Sequence, residues 1–288
     1  MSEATPPTLY TEPVAGADAP PARRLAFLPG IFGQGRNWAT VARRLVRARP
    51  DWGALLVDLR QHGGSQGFPP PHTLAAAAED LRRTFESSDV PVRGVLGHSF
   101  GGKVALELAR ALAEAHDGSH AGSHAGSLRL ETLWLVDSPP GPHPPGGSAW
   151  EVMEALRRAP GPFLSREAGV SALQGLGAAE GVARWMSTNL EERADGWRWR
   201  IDPDDMAELL RDFFQQDLWS VVESPPPGLD LHVVKAQDSS VLDEAACRRV
   251  EAAGERTGVV HLHRVAGGHW VNADNPDALL ALLQEGLP

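Results

Sequence analysis

Ser99 lies at the centre of Gly97-His98-Ser99-Phe100-Gly101, and its flanks give this pentapeptide a chemical meaning. Val92, Val95 and Leu96 lead into it as a β-favouring run. Val104, Ala105, Leu108, Ala109 and Leu112 follow it at helical spacing. A strand that turns into a helix within a few residues, with Gly-x-Ser-x-Gly at the corner, presents the serine as a nucleophile. Glycine suits positions 97 and 101 because a Cβ at either would crowd neighbouring backbone. A helix opening at Phe100 would aim its free N–H groups and positive dipole end at the place where an oxyanion forms. The pentapeptide alone is weak, since an ordinary turn can contain it. The strand before it and the helix after it make Ser99 the candidate nucleophile.

A serine hydroxyl needs a base, and the base needs an acid to orient it. At a corner of this kind the acid and then the histidine follow the serine in the chain. Of the histidines, His269 alone falls between the last strand-like and the last helical run, in Ala266-Gly267-Gly268-His269-Trp270, and it is the expected base. Two aspartates compete for the acid. Asp238 closes the run Leu231–Val234 and is preferred; Asp137 closes the preceding run and is the alternative. Either could instead cap a turn or helix. The loop Pro29-Gly30-Ile31-Phe32-Gly33 supplies the Ile31 amide as a second oxyanion donor beside that of Phe100. Phe32, His98, Trp185 and Trp270 are the expected lining of the substrate pocket. No Walker loop, dinucleotide fingerprint or His-Glu-x-x-His is present, so no cofactor and no metal is expected.

Elements to hold these residues are legible along the chain. Residues 1–22 read as a flexible lead-in with a short edge strand over Thr8–Glu12. Arg24–Leu28 is a buried strand. Asn37 caps a helix carrying Trp38, Val41, Ala42, Leu45 and Val46, and Ala54–Val57 is the next strand. Leu74, Ala77, Ala78, Leu81 and Phe85 mark a helix before the Ser99 strand, and Leu130–Val136 a strand after its helix. This alternation predicts an α/β fold with a mostly parallel central sheet and helices on both faces. Between them, the tandem Gly-Ser-His-Ala stretch His116–Ser127 reads as a solvated loop rather than a metal site, because a Gly/Ser spacer fixes no geometry.

The rhythm stops over residues 141–227, a proline-rich, helix-like insertion holding five of the nine tryptophans, which serve as its core, as pocket wall or as both. Ser148 and Glu151 suggest a capping box, and Asp202-Pro203 a helix start. The rhythm then resumes over residues 228–288, so that 23–140 and 228–288 form the core. Its elements are a strand over Leu231–Val234, a helix over Asp243–Ala253, a strand over Val259–Val265, and a helix after Asn275-Pro276.

At 288 residues, with 42% hydrophobic and 22% charged residues, the chain can bury a large core. A net charge of −10 without a basic run argues against nucleic acid or an anionic membrane as partner. A single cysteine, Cys247, excludes an internal disulfide and a cysteine-based metal site. No secretory leader pattern and no run of about 20 apolar residues is present, so the expected location is cytoplasmic.

Taken together, these residues resemble the α/β-hydrolase superfamily over nearly the whole chain from about Arg24. Within it they are most similar to an acyl-esterase branch of small bacterial esterases and their mitochondrial counterparts. The likeness rests on Asp58-Leu59-Arg60-Gln61-His62-Gly63-x-Ser65, Gly97-His98-Ser99-Phe100-Gly101-Gly102, Asp137-Ser138-Pro139, and Gly268-His269-Trp270 with Asp274 and Pro276. Arg184, Thr188-Asn189-Leu190 and Trp199-Arg200-Ile201 extend it into the insertion. The resemblance implies an α/β-hydrolase fold and a helical cap at 141–227 over the active site. Two departures stand out. Pro29-Gly30 occupies the place where the family usually has His-Gly, and the branch often has its aspartate at the position of Asp137 and none at that of Asp238.

The expected activity is that of a serine hydrolase acting on a small carboxylic ester or thioester through an acyl-enzyme on Ser99. One alternative is a carbon–carbon bond hydrolase or lyase of the same fold, with Arg184-Trp185 and Trp270 meeting an acidic, conjugated substrate. Another is a non-catalytic ligand-binding protein.

Overall fold

The computed structural model describes residues 7–16, 20–116 and 128–288. The expected loop His116–Ser127, except for His116, which ends the helix begun at Phe100, and parts of the expected lead-in, 1–6 and 17–19, lie outside the described residues. Up to the Ser99 corner the chain forms β1 (Thr11–Val14), β2 (Arg23–Leu28), α1 (Ala39–Ala48), β3 (Trp52–Val57), α2 (Leu74–Glu86) and β4 (Val92–His98). Then come α3 (Phe100–His116) and β5 (Thr132–Val136). The connection that follows carries α4 (Gly147–Arg158), α5 (Arg166–Gly175), α6 (Glu180–Met186), the hairpin β6 (Leu190–Arg193) and β7 (Gly196–Trp199), α7 (Pro203–Gln215) and α8 (Trp219–Glu223). The chain closes with β8 (Asp230–Ala236), α9 (Glu244–Thr257), β9 (Val260–Val265), α10 (Val271–Asp274) and α11 (Pro276–Gly286).

The central sheet has seven strands in the order β1-β3-β2-β4-β5-β8-β9. All neighbours are parallel except β1, which runs antiparallel to β3 with Thr11 opposite Val57. Successive side chains of a strand face opposite sides, so a strand buried on both faces must be apolar throughout. In β2, Leu25 and Phe27 join α1 and α11 through Val41, Leu45, Leu279 and Leu283. Ala26 and Leu28 face the other way, toward Leu81 and Phe85 of α2 and Val104 and Leu108 of α3. Each such fully buried Leu or Phe contributes about 1.5–3 kcal/mol before chain entropy is set against it. The second cluster runs on without a break into the β5–β8 connection, taking in Met153, Leu156, Leu173, Met186 and Phe213.

Several local expectations are revised. The edge strand is Thr11–Val14 rather than Thr8–Glu12. Asn37 does not cap α1; a 3-10 turn over Gly35–Trp38 precedes that helix, and the Asn37 side chain accepts from Gln34 N at 2.7 Å. Ser148 lies inside α4, whose N-cap is Gly146. Asp202, Asp243 and Asn275 do cap α7, α9 and α11, each accepting a backbone N–H of the first turn. Among the described residues no helix is long and apolar enough to cross a membrane.

Candidate active site

Among the described residues, four non-glycine residues adopt a left-handed backbone, and all four follow the C-terminal ends of central strands. They are Phe32 after β2, Gln61 after β3, Ser99 after β4 and Asp137 after β5, with φ between 45° and 63°. Such residues cost free energy locally and persist where the surroundings fix them. At the Ser99 corner the fixing is visible. Ser99 N donates to Val136 O of the neighbouring strand at 3.0 Å, and Ser138 Oγ donates to Ser99 O at 2.6 Å. A Cβ on Gly97 would come within 2.3 Å of Gly101 O, and one on Gly101 within 2.4 Å of Pro29 O. The corner is therefore too tight for any residue but glycine at those two places.

Asp137 is fully buried, and its Oδ2 accepts from His269 Nδ1 at 2.7 Å. Ala236 N lies 3.4 Å from the other carboxylate oxygen. With Nδ1 as donor, the His269 ring keeps Nε2 as its basic nitrogen. Asp238, preferred on sequence, stands elsewhere. Strand β8 runs on to Ala236, the following turn ties Asp238 N to Gly267 O at 3.0 Å, and Asp238 is left exposed on the cleft rim. The carboxylate beside His269 is that of Asp137. The His269 loop is itself braced, since Gly268 N donates to Asp274 Oδ2 at 2.9 Å and Asn275 Nδ2 to Ala266 O at 3.0 Å.

His98, next to the serine, is buried and donates from Nε2 to His269 O at 2.8 Å, with the two rings 4.6 Å apart. Burial, and next the neighbouring His269, pull its pKa down to about 3. His98 is thus a neutral prop behind the His269 loop.

Ser99 and His269 line both lobes of a cleft. The larger lobe, about 880 Å³, includes Phe100, His143, Leu210, Phe213, Phe214 and Trp219, with Asp238, Asp243 and Arg249 as its charged residues. The smaller, about 340 Å³, includes Phe32, Trp38, His98, Val152, Trp185 and Trp270. All four residues expected to line the pocket therefore fall in the smaller lobe, with the Trp185 and Trp270 rings 5.6 Å apart. Ile31 lines both lobes, and a Cβ on Gly30 would sit 3.5 Å from Ser99 Cβ, so this loop passes directly beside the serine. Arg184 lines neither lobe; it is exposed and paired with Glu180 at 2.9 Å.

Sequence reasoning missed the buried polar contacts that seat the β5–β8 connection on the core. Lys103 of α3 is fully buried and donates from Nζ to Gly141 O at 2.8 Å and Phe213 O at 2.6 Å. Burial pulls its pKa down to about 8. Asp205 of α7 meets His72 Nε2 at 3.2 Å and accepts from Gln61 Nε2 at 2.5 Å. A lysine one residue past Gly101-Gly102, on the apolar face of its helix, was the available signal for the first of these.

The sequence matches the α/β hydrolase family over residues 25–282. The chain belongs to the α/β hydrolase family. Among curated proteins, this hydrolase is 25% identical over 262 residues to the mouse (Mus musculus) sn-1-specific diacylglycerol lipase ABHD11, covering 88% of this chain and 76% of the relative. It is also 34% identical to 2-succinyl-6-hydroxy-2,4-cyclohexadiene-1-carboxylate synthase of Pectobacterium atrosepticum, over 91 residues that cover 32% of this chain and 34% of the relative. Among solved structures, a marine microorganism esterase superposes with a TM-score of 0.75 at 21% identity, covering 97% of this chain and 99% of that one. Family and relatives support hydrolase activity on a small molecule.

Proposed function

We propose that this α/β hydrolase cleaves a neutral carboxylic ester or thioester through an acyl-enzyme on Ser99. The observation that carries the reading is the pair of buried Asp137 and half-buried His269, which opens onto the same cleft as a left-handed Ser99. In this mechanism His269 Nε2 takes the Ser99 Oγ proton as the oxygen attacks the acyl carbon, and Asp137 holds Nδ1–H and stabilises the imidazolium. The amides of Ile31 and Phe100 receive the oxyanion. His269 then returns the proton to the leaving oxygen or sulfur, and water repeats the sequence to free the acid. Losing one oxyanion donor typically costs about 10²–10³ in rate.

In this reading residues 141–227 are a cap and the two lobes each take one arm of the ester. Charge favours a neutral substrate over an acidic one. Among the described residues lining the lobes, Arg249 is the one arginine or lysine, and it is already paired with Glu223 at 2.6 Å and stacked over Trp219. Asp238 and Asp243 add negative charge at the same rim. That weighs against the carbon–carbon cleaving alternative, which needs cations for its substrate. The diacylglycerol lipase named among the relatives agrees with an apolar ester. The test is fluorophosphonate labelling beside a p-nitrophenyl ester panel. Wild type should label on Ser99 and hydrolyse, and Ser99→Ala should do neither at an unchanged melting temperature. Labelling that survives Ser99→Ala sinks the nucleophile, and a wild type inert to both probes favours a binding protein.

A further inference from the structure

Asn189 lies in the 3-10 turn Ser187–Asn189, straight after the helix that carries Trp185, and is completely buried. Its partners sit more than a hundred and fifty residues earlier in the chain. Nδ2 donates to Phe32 O at 2.9 Å, and Oδ1 accepts from Gln34 Nε2 at 3.0 Å. Its backbone is fixed in turn, because Arg200 N donates to Asn189 O at 2.8 Å. Gln34 also reaches Thr188 O, at 3.3 Å. A buried amide with both ends engaged is a geometric clamp, because moving either partner leaves a polar group unpaired away from water.

What the clamp grips is the loop beside Ser99. Gly33 N donates to Gly30 O at 2.9 Å, closing a turn whose third residue, Phe32, is left-handed with φ 63°. That position favours glycine; a phenylalanine there is strained and relaxes unless held. The C=O and N–H of a trans peptide point in opposite directions. Gly30 O is drawn into the turn, so the N–H on the far side of the same peptide, that of Ile31, is directed out of it. Asp58 Oδ1 braces the loop further along, accepting from Gly35 N at 2.7 Å. The Phe32 carbonyl is braced by Asn189.

We propose that Asn189 is a positioning residue for oxyanion stabilisation: through Phe32 O it holds the Gly30–Gly33 turn in the form that presents Ile31 N–H to the reacting carbonyl. The inference rests on the serine-hydrolase reading above. It means that the oxyanion loop has its working shape only while the β5–β8 connection is seated on the core.

The test compares wild type, Asn189→Asp and Gln34→Met. Asn189→Asp keeps the size and the acceptor but loses the donor to Phe32 O. Readouts are kcat and KM on a short p-nitrophenyl ester, the Ki of a trifluoromethyl ketone, which forms an oxyanion on the serine, and the Ki of the matching methyl ketone. A displaced donor should lower kcat by about 10–100-fold in Asn189→Asp. KM and methyl ketone affinity should hold, and trifluoromethyl ketone affinity should fall by the same factor as kcat. Gln34→Met should show the same split at smaller size, and it carries the test if Asn189→Asp does not fold. Folded variants with kcat and trifluoromethyl ketone affinity at the wild-type level overturn the inference, as does a raised KM with unchanged kcat. Fluorophosphonate labelling of wild-type Ser99, run alongside, separates the two failures. Without it the serine-hydrolase reading falls and takes this inference with it; with it, unchanged Asn189 variants overturn the role of Asn189 alone.

Discussion

Asp137 Oδ2 lies 2.7 Å from His269 Nδ1, in a spot where the carboxylate is wholly buried and the imidazole half-buried. An imidazole that loses its carboxylate loses its held tautomer and its charge stabilisation. Asp137→Asn is therefore expected to lower kcat by about 10⁴-fold. Asp238→Asn, at the exposed rim, should leave kcat near the wild-type value. Steady-state kinetics on a p-nitrophenyl ester, with melting temperatures to exclude misfolding, decides between them. A collapse in Asp238→Asn beside a near-normal Asp137→Asn would move the acid to the next strand.

The two aspartates also show where the sequence stops informing. Both follow adjacent parallel strands, and their apolar runs look alike. Which carboxylate turns inward depends on the left-handed backbone of Asp137 and on β8 continuing to Ala236, neither of which has a local signature. The strand–helix alternation was legible because a doubly covered strand must be apolar, as β3 is along its whole length and β2 is from Leu25 to Leu28. The hairpin Leu190–Arg193/Gly196–Trp199 was not, since its short strands are charged and mostly exposed or half-buried. Asn189 stood in the sequence as part of a recognisable tripeptide, but its partners at 32 and 34 are brought to it only by the fold.

Trp185 should set the size of the smaller lobe. It is half-buried, lines that lobe and packs 5.6 Å from the Trp270 ring. Trp185→Ala is expected to shift activity toward esters with a bulkier arm, while the melting temperature moves little. An ester chain-length series reads this directly. An unchanged series with a large drop in melting temperature would make Trp185 plain core.

Lys103 should matter for stability more than for chemistry. Its ammonium satisfies two carbonyls of the β5–β8 connection, at Gly141 and Phe213, and lies 4.7 Å from the Phe213 ring centre. Lys103→Met fills similar volume but orphans both acceptors, each worth about 1–3 kcal/mol when buried unpaired. A lowered midpoint in urea is expected. A variant as stable as wild type would mean that water or a shift of the connection replaces the lysine.

Acid should destabilise the protein through histidines that are buried in the neutral form. Burial and the adjacent His263 and His261 pull His232 down to about 3 from an ordinary 6.5, and burial likewise lowers His62 and His98. The folded state therefore binds fewer protons than the unfolded chain between those values, and stability rises with pH across that window. It is complete above about pH 6.5 and drains away as the pH falls toward 3. His232 offers a clean test, because it lies away from the cleft, stacked on Trp134 with ring centres 3.9 Å apart. Its Nδ1 contact to His263 Nε2, at 3.0 Å, is lost in His232→Phe, but the aromatic stack is kept. Urea midpoints measured from pH 7.5 down to pH 4.5 should fall less steeply for His232→Phe than for wild type. Parallel slopes would show that His232 takes up no proton on unfolding in this range, and the acid sensitivity would then come from other histidines lowered by burial, among them His62 and His98.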